Sequence, residues 1–380
     1  MTEPSSTDAS SPTGATRTPL RSVIGRIRRR EYQPLLDYGV FGPDSVAWRV
    51  WTYPTTPTVA ISRAVAVEEL DPFLTATVNA TGRIYNQPRV RLERTIHYFA
   101  TIAIGDSLSA AKAAETLTKV HAHAGCVEPV SGVWSDPNNP DQQLWILVTG
   151  WHSVLYAYEL YGPGKLSEAD ERRYWADCAK AAEFQTIDPA TVPRTRDEVR
   201  DYFQRMRPRL AASEATQHAM QHLMNAEVFL PDLPAALAPV KWPARFLLRA
   251  GVIRMLPRWQ RDLANTHQSA AVDWLIRPIL RVGMAVLARP KLAMVALRYL
   301  SPSTVPLAGP PLLGIAPVTA ETLTPAEAFA RHGITTPKEL YEQFRTDQAT
   351  VVNGPSVPLS ATPENAEPSM FDDMRNPVAR

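Results

Sequence analysis

Two adjoining predicted helices hold the residue types best suited to chemistry. In Arg91–Cys126, RLERTIHYFATIAIGDSLSAAKAAETLTKVHAHAGC, the first helix carries Arg91, Arg94 and Thr95. The second ends in His121-Ala122-His123, and Gly105-Asp106 joins them. Imidazole is a common metal ligand and a general acid or base. Guanidinium groups pair with carboxylates and other anions. A histidine turned into an apolar interior beside arginines and a hydroxyl would suit a haem, with iron on the imidazole and propionates on the arginines. It would also suit a plain core histidine bonded to a backbone carbonyl, and the residue types alone leave both open.

Helical geometry separates the two histidines. At about 100° per residue, Leu117, Val120, His121 and Ala124 share one face, with Ala113 and Ala114 upstream. His123 lies about 200° away, beside Lys112, Thr116 and Lys119. The expectation is His121 inward and His123 towards water. On the first helix, Arg91, Thr95, Tyr98 and Ile102 form a stripe flanked by Arg94, and Leu92, Ile96, Phe99 and Ala103 form an apolar side. A half-exposed helix with solvated arginines reads the same way. His152 lies in the apolar segment 142–161 and is either a satisfied core histidine or a group facing a cofactor.

These residues resemble the MpaB oxygenase family and, more distantly, the latex-clearing rubber oxygenases. The resemblance rests on Arg91-x-x-Arg94-Thr95, on Ile104-Gly105-Asp106 and on His121-Ala-His-Ala124. It continues through Leu144-Trp145-Ile146, Lys165-Leu166-Ser167, Tyr174-Trp175 and Val192-Pro193-Arg194-Thr195, over residues 40–260. It implies an all-α protein holding haem b non-covalently, with His121 as axial iron ligand. Arg91 and Arg94 would lie at the haem, and Arg91, Arg94 and Thr95 on the side where oxygen reacts, with His152 a competing ligand. It further implies an oxidoreductase that joins dioxygen to a small hydrophobic, isoprenoid-like substrate. A non-catalytic haem- or lipid-binding protein is the alternative. Three departures stand out: Leu147 where many relatives carry histidine, His152 where many carry aspartate, and the closing glycine one residue early at Gly125.

Other chemistries lack their motifs. His218 and His222 stand four apart without the glutamate of H-E-x-x-H. No E-x-x-H pair recurs as in a di-iron bundle. No G-x-G-x-x-G or G-x-S-x-G occurs. A net charge of +2 leaves no footprint for nucleic acid. Two cysteines, Cys126 and Cys178, fit reduced thiols in the cytoplasm rather than a disulfide framework.

The elements around these residues read as one helical bundle in a 380-residue chain that is 45% apolar, enough for a large core. The domain is expected over residues 21–346, between a polar disordered tail at 1–20 and a Pro-rich disordered tail at 347–380. The basic run Arg26–Arg30 is a tail anchor or solvated face, with weak contact to an anionic membrane surface as its other reading. No apolar stretch reaches about 18 residues, so no transmembrane helix is expected. Pro88 and Asp106 start the two helices above, and Ser167 and Thr195 open capping boxes further on. Gly162-Pro-Gly164 ends the Trp-led helix. Thr58–Ser62 is the one strand-like stretch, Pro302–Pro317 reads as loop, and short helices follow at Thr324–Gly333 and Thr336–Arg345.

Overall fold

The computed structural model describes residues 28–81, 87–225, 230 and 238–352. The expected tails at 1–20 and beyond 352 lie outside them, as do Arg26 and Ile27 of the basic run. The fold is all-α, with one two-stranded antiparallel pair. In chain order the first helices are α1 (Val46–Trp51), α2 (Ile61–Glu68), α3 (Pro72–Thr81), α4 (Pro88–Ile104) and α5 (Ser107–Ala122). The strands β1 (Cys126–Val127) and β2 (Trp134–Ser135) precede α6 (Pro140–Tyr161), α7 (Glu168–Ala182), α8 (Arg196–Met206) and α9 (Glu214–Met224). Then come α10 (Ala238–Met255), α11 (Arg258–Leu263), α12 (Ala270–Leu287), α13 (Pro290–Leu300), α14 (Val305–Leu312), α15 (Pro325–His332) and α16 (Pro337–Val352).

The centre is α6, which is apolar on every side and must therefore be covered on every side. Helices α1, α2, α7 and α12 surround it. Aromatic rings lock these contacts. Trp51 of α1 stacks on Phe99 of α4 at 5.8 Å and meets Trp151 of α6 edge-on at 5.4 Å. Trp151 lies 4.9 Å from Tyr174 of α7, whose hydroxyl donates to the Trp151 carbonyl at 2.8 Å. Trp145, Trp151 and Trp175 are all fully buried. Such offset and edge-on pairs add to the area they bury.

The expected caps are present. Asp106 accepts from Ser109 N–H, Ser167 from Asp170 N–H and Thr195 from Glu198 N–H. The second arm of the Thr195 box is displaced by one residue, since Glu198 accepts from Arg194 N–H. Three expectations are corrected. Thr58–Ser62 is a π-helical turn (Thr56–Ala60) running into α2, because Pro54 and Pro57 set a helical start and its threonines bond back to carbonyls. Pro302–Pro317 is largely helical: a 3-10 turn at Pro302–Thr304 leads into α14, whose first-turn proline needs no N–H partner. Helix α16 runs from Pro337 to Val352 rather than ending at Arg345 as a short helix.

The α4–α5 turn is pinned by the N-terminal segment. Asp37 Oδ1 accepts from the N–H groups of Gly39 and Ser107, both at 2.8 Å, and its Oδ2 accepts from the Ser107 hydroxyl. Gly39 has φ +64°, and a Cβ there would sit 2.0 Å from the Gly105 carbonyl oxygen. Gly132 has φ +69° but open space around it. Gly132→Ala should therefore cost only the left-handed strain, about 1–2 kcal/mol. Gly39→Ala should cost clearly more, because a backbone carbonyl must also move. Urea midpoints of the two variants measure this, and equal losses would refute the packing argument.

Candidate active site

The Gly105-Asp106 turn joins α4 to α5, and the two helices pack on each other. Arg91 of α4 feels the charges of Glu68 and Glu69, and the Glu68 carbonyl accepts from Trp145 Nε1 of α6 at 3.4 Å. Two residues earlier on α6, Gln143 reaches His121, so the start of α6 links Arg91 with His121.

His121 is half-buried at the C-terminus of α5. Its Nδ1 lies 3.2 Å from Gln143 Nε2, and it also bonds to the Asn138 side chain and the Pro137 carbonyl. Gln143 is itself fixed, with Nε2 donating to the Pro137 carbonyl and Oε1 accepting from Thr186 N–H. Burial pushes the His121 pKa down to about 4, against the opposing pull of Asp136 and these hydrogen bonds. The ring is therefore neutral at physiological pH, the form that can ligate a metal. The expected inward face of α5 is shifted by about one position. Ser107, Ala110, Ala111 and Thr118 are buried together with the expected Ala113 and Ala114, while Leu117 and Val120 are only half-buried. Helices α15 and α16, from the far end of the chain, pack on α5 and select that face. His123 is exposed, as expected, with Nδ1 2.9 Å from the Lys119 carbonyl oxygen. A Cβ at Gly125 would meet the Trp134 ring at 2.4 Å, so the chain after the histidines closes against β2.

Two residues that the motifs do not mark complete this end of the bundle. Glu68 and Glu69, where α2 ends, are buried, and Glu68 Oε1 and Glu69 Oε2 find no hydrogen-bond partner among the described residues. Burial raises the Glu68 pKa to about 8, helped by its acidic neighbour, and that of Glu69 to about 7. The Arg91 cation opposes both shifts. Arg91 in turn has its pKa lowered by burial and supported by the two glutamates, with no direct ion pair to either among the described residues. The pair therefore keeps at least one proton at neutral pH. Adjacent acids after an apolar run, AVAVEEL, look like an exposed helix end in sequence, and only packing buries them.

Of the other expected residues, Arg94 and Thr95 stay beside Arg91 and His152 lies apart. Arg94 is half-buried on the same helix as Arg91, and the Thr95 hydroxyl donates to the Arg91 carbonyl at 3.0 Å. His152 lies nine residues beyond Gln143, about 14 Å further along α6. There Arg63 Nη1 contacts its Nδ1 at 3.2 Å, and its ring packs on Tyr156 and Phe203. Burial first, then Arg63 and Arg196, hold its pKa well below 6.5. Arg63 is itself fully buried and donates to the Met255 carbonyl and the Ser153 hydroxyl. The structure thus brings Arg91 and His121 to one pole and places His152 in a separate cluster.

A family model described as ER-bound oxygenase mpaB/B'/Rubber oxygenase, catalytic domain, matches residues 48–289. The chain belongs to this oxygenase family. Comparisons with curated proteins and with solved structures return no match. The matched span of the oxygenase runs from α1 to the end of α12 and contains Glu68, Glu69, Arg91, His121 and Gln143. Helices α13 to α16 lie beyond it.

The oxygenase also has an apolar cavity of about 60 Å³ between the α1–α2 connection, α4, α13 and α14. That is several times the roughly 10–15 Å³ one water requires. Ile61, Ile96, Phe99, Ala100, Leu297 and Leu312 are among the residues of its wall. Thr304 also lines it, 3.4 Å from Nδ1 of His97, a half-buried histidine that the sequence motifs pass over.

The buried acids predict a pH dependence. In the unfolded chain both titrate near 4.5, and in the folded protein near 8 and 7. Their contribution to stability is complete below about pH 4.5, falls as pH rises, and is lost above about pH 8. A Glu68→Gln/Glu69→Gln variant lacks that decline. Its urea midpoint should gain on wild type between pH 5 and pH 8, by at least about 1.4 kcal/mol, the equivalent of one pKa unit. Parallel pH profiles would show that the two carboxyls are not held protonated.

Proposed function

We propose that this oxygenase holds haem b non-covalently at the pole formed by α4, α5 and the start of α6, and oxidises a hydrophobic, isoprenoid-like molecule with dioxygen in the cytoplasm. The observation that carries the reading is the convergence of a neutral His121 with Arg91 in a chain of this family. Donor chemistry fits the group. His121 is held by Gln143, the Asn138 side chain and the Pro137 carbonyl, the kind of support that orients a ligating imidazole. Haem iron asks for one protein nitrogen, and no cluster of three or more His, Cys, Asp or Glu side chains suited to a metal occurs among the described residues. Orphaned carboxyl oxygens on Glu68 and Glu69 mark polar groups whose partner is not another described residue. His121, Arg91 and Arg94 are not in the wall of the apolar cavity beside α4.

In this reading His121 would hold the iron, and Arg91 and Arg94 would pair with the propionates. The Thr95 hydroxyl, which donates to the Arg91 carbonyl, would have to turn from it to donate to dioxygen. Glu68 and Glu69 keep a proton beside Arg91. Haem, when bound, supplies the oxygen activation and electron transfer. The apolar cavity beside α4 receives the substrate and excludes water. His152 is the weaker candidate for iron, because its Nδ1 faces a guanidinium.

The test is visible absorption with haem quantified as the pyridine haemochrome. Wild type should carry near-stoichiometric haem b. His121→Ala should lose at least about nine-tenths of it, while His123→Ala and His152→Ala retain it. Equal haem in the His121 and His123 variants would overturn the assignment. Ala296→Trp, which fills the apolar cavity, should keep its haem and lose at least tenfold in oxygen consumption with unsaturated terpenoids. Unchanged turnover would move the substrate elsewhere.

A further inference from the structure

Helix α12 is apolar around most of its circumference, yet only one side is buried. Ile276, Leu280 and Met284 form the buried side. The opposite arc, about 140° wide at 100° per residue, carries Trp274, Leu275, Ile279, Val282 and Val286. All five are exposed, Trp274 by 76% and Val282 by 66%. Helix α10 packs against α12 and adds Trp242 and Phe246, also exposed, with their rings stacked at 6.1 Å. A scattered exposed leucine needs no explanation, but an ordered apolar arc of this kind does.

Charge identifies what would cover it. Residues 238–291 hold ten Lys and Arg and only two acids, Asp262 and Asp273, in a chain whose net charge is +2, so the remainder of the chain is net acidic. Asp273 is already paired with Arg261 at 2.9 Å. Arg277 and Arg281 flank one edge of the arc, and Arg289 and Lys291 follow its C-terminal end, all four exposed. A second copy of the chain docked about a twofold axis would bring this positive margin against itself. An interface with apolar depth and negative headgroups satisfies both the arc and its margin. No described helix is long and apolar enough to cross a membrane, so the contact would be peripheral.

We propose that the α10–α12 face docks the protein onto the surface of a bilayer containing anionic lipid. Independently of any haem, the face sits one helix from the apolar cavity. Leu292 of α13 is exposed next to α12, while Ala293, Ala296 and Leu297 of the same helix line the cavity. A lipophilic molecule leaving the bilayer would meet that helix first.

The experiment is co-sedimentation of the full chain with vesicles of phosphatidylcholine and phosphatidylserine at 7:3, against phosphatidylcholine alone. Binding should be at least tenfold tighter to the anionic vesicles. Trp274→Glu/Val282→Glu should lose at least tenfold while keeping its circular dichroism and melting temperature, and Arg277→Glu/Lys291→Glu should lose the preference for anionic lipid. Brominated lipid should quench tryptophan fluorescence, and Trp274→Phe should remove a large part of that quenching, although the chain has nine tryptophans. Three results would overturn the proposal. The first is no binding to either vesicle. The second is binding that survives Trp274→Glu/Val282→Glu, which assigns it to another element. The third is a dimer that this variant converts to monomer, which assigns the face to a second copy.

Discussion

Everything in this fold is arranged around a twenty-two-residue helix that is apolar almost all round. Because α6 is apolar all round, four other helices have to reach it, and the aromatic rings at Trp51, Trp151 and Tyr174 determine how closely they approach. The same helix carries Gln143 at its start and His152 in its middle. Covering it therefore decides which polar groups meet at which end of the bundle. The polar pole at Arg91 and His121 exists because α6 begins there and its first turn is not yet enclosed by aromatics.

Charge burial is the second constraint. Arg63 is buried without a carboxylate beside it, and Glu68 and Glu69 are buried with orphaned oxygens. Burying ionisable groups is costly unless they are paired or neutralised. Arg63 is stabilised by a carbonyl, a hydroxyl, an imidazole edge and the Tyr156 face at 5.7 Å. The glutamates are accommodated by protonation. One arrangement is satisfied by protein alone and the other is not, and this contrast distinguishes the pole at Arg91 from the cluster at His152.

Much of the fold is legible in the residues. Pro88, Asp106, Ser167 and Thr195 start helices where their local chemistry requires, and the all-round apolar pattern of α6 marks the bundle centre. Local signals misread Thr58–Ser62 and Pro302–Pro317. Threonine and valine favour strand only where a strand partner exists, and a proline in a first turn starts a helix, while Pro310 and Pro311 are carried inside α14. The short β1–β2 pair gives no alternation to read, being two residues per strand.

For the site, the sequence by itself determined the two helices and the turn between them. The arginine helix, the Gly-Asp turn and the histidine helix are contiguous, and Pro88 and Asp106 set where each begins. It also determined that His123 faces water, since Lys112 and Lys119 share its face. Only the tertiary structure decided which stripe of α5 is buried, because α15 and α16 cover it from more than 200 residues away in the chain. It alone decided that Glu68 and Glu69 are buried beside Arg91, and that His152 meets Arg63 rather than His121. Those outcomes depend on which helix covers which, and periodicity within one helix carries no record of its neighbours.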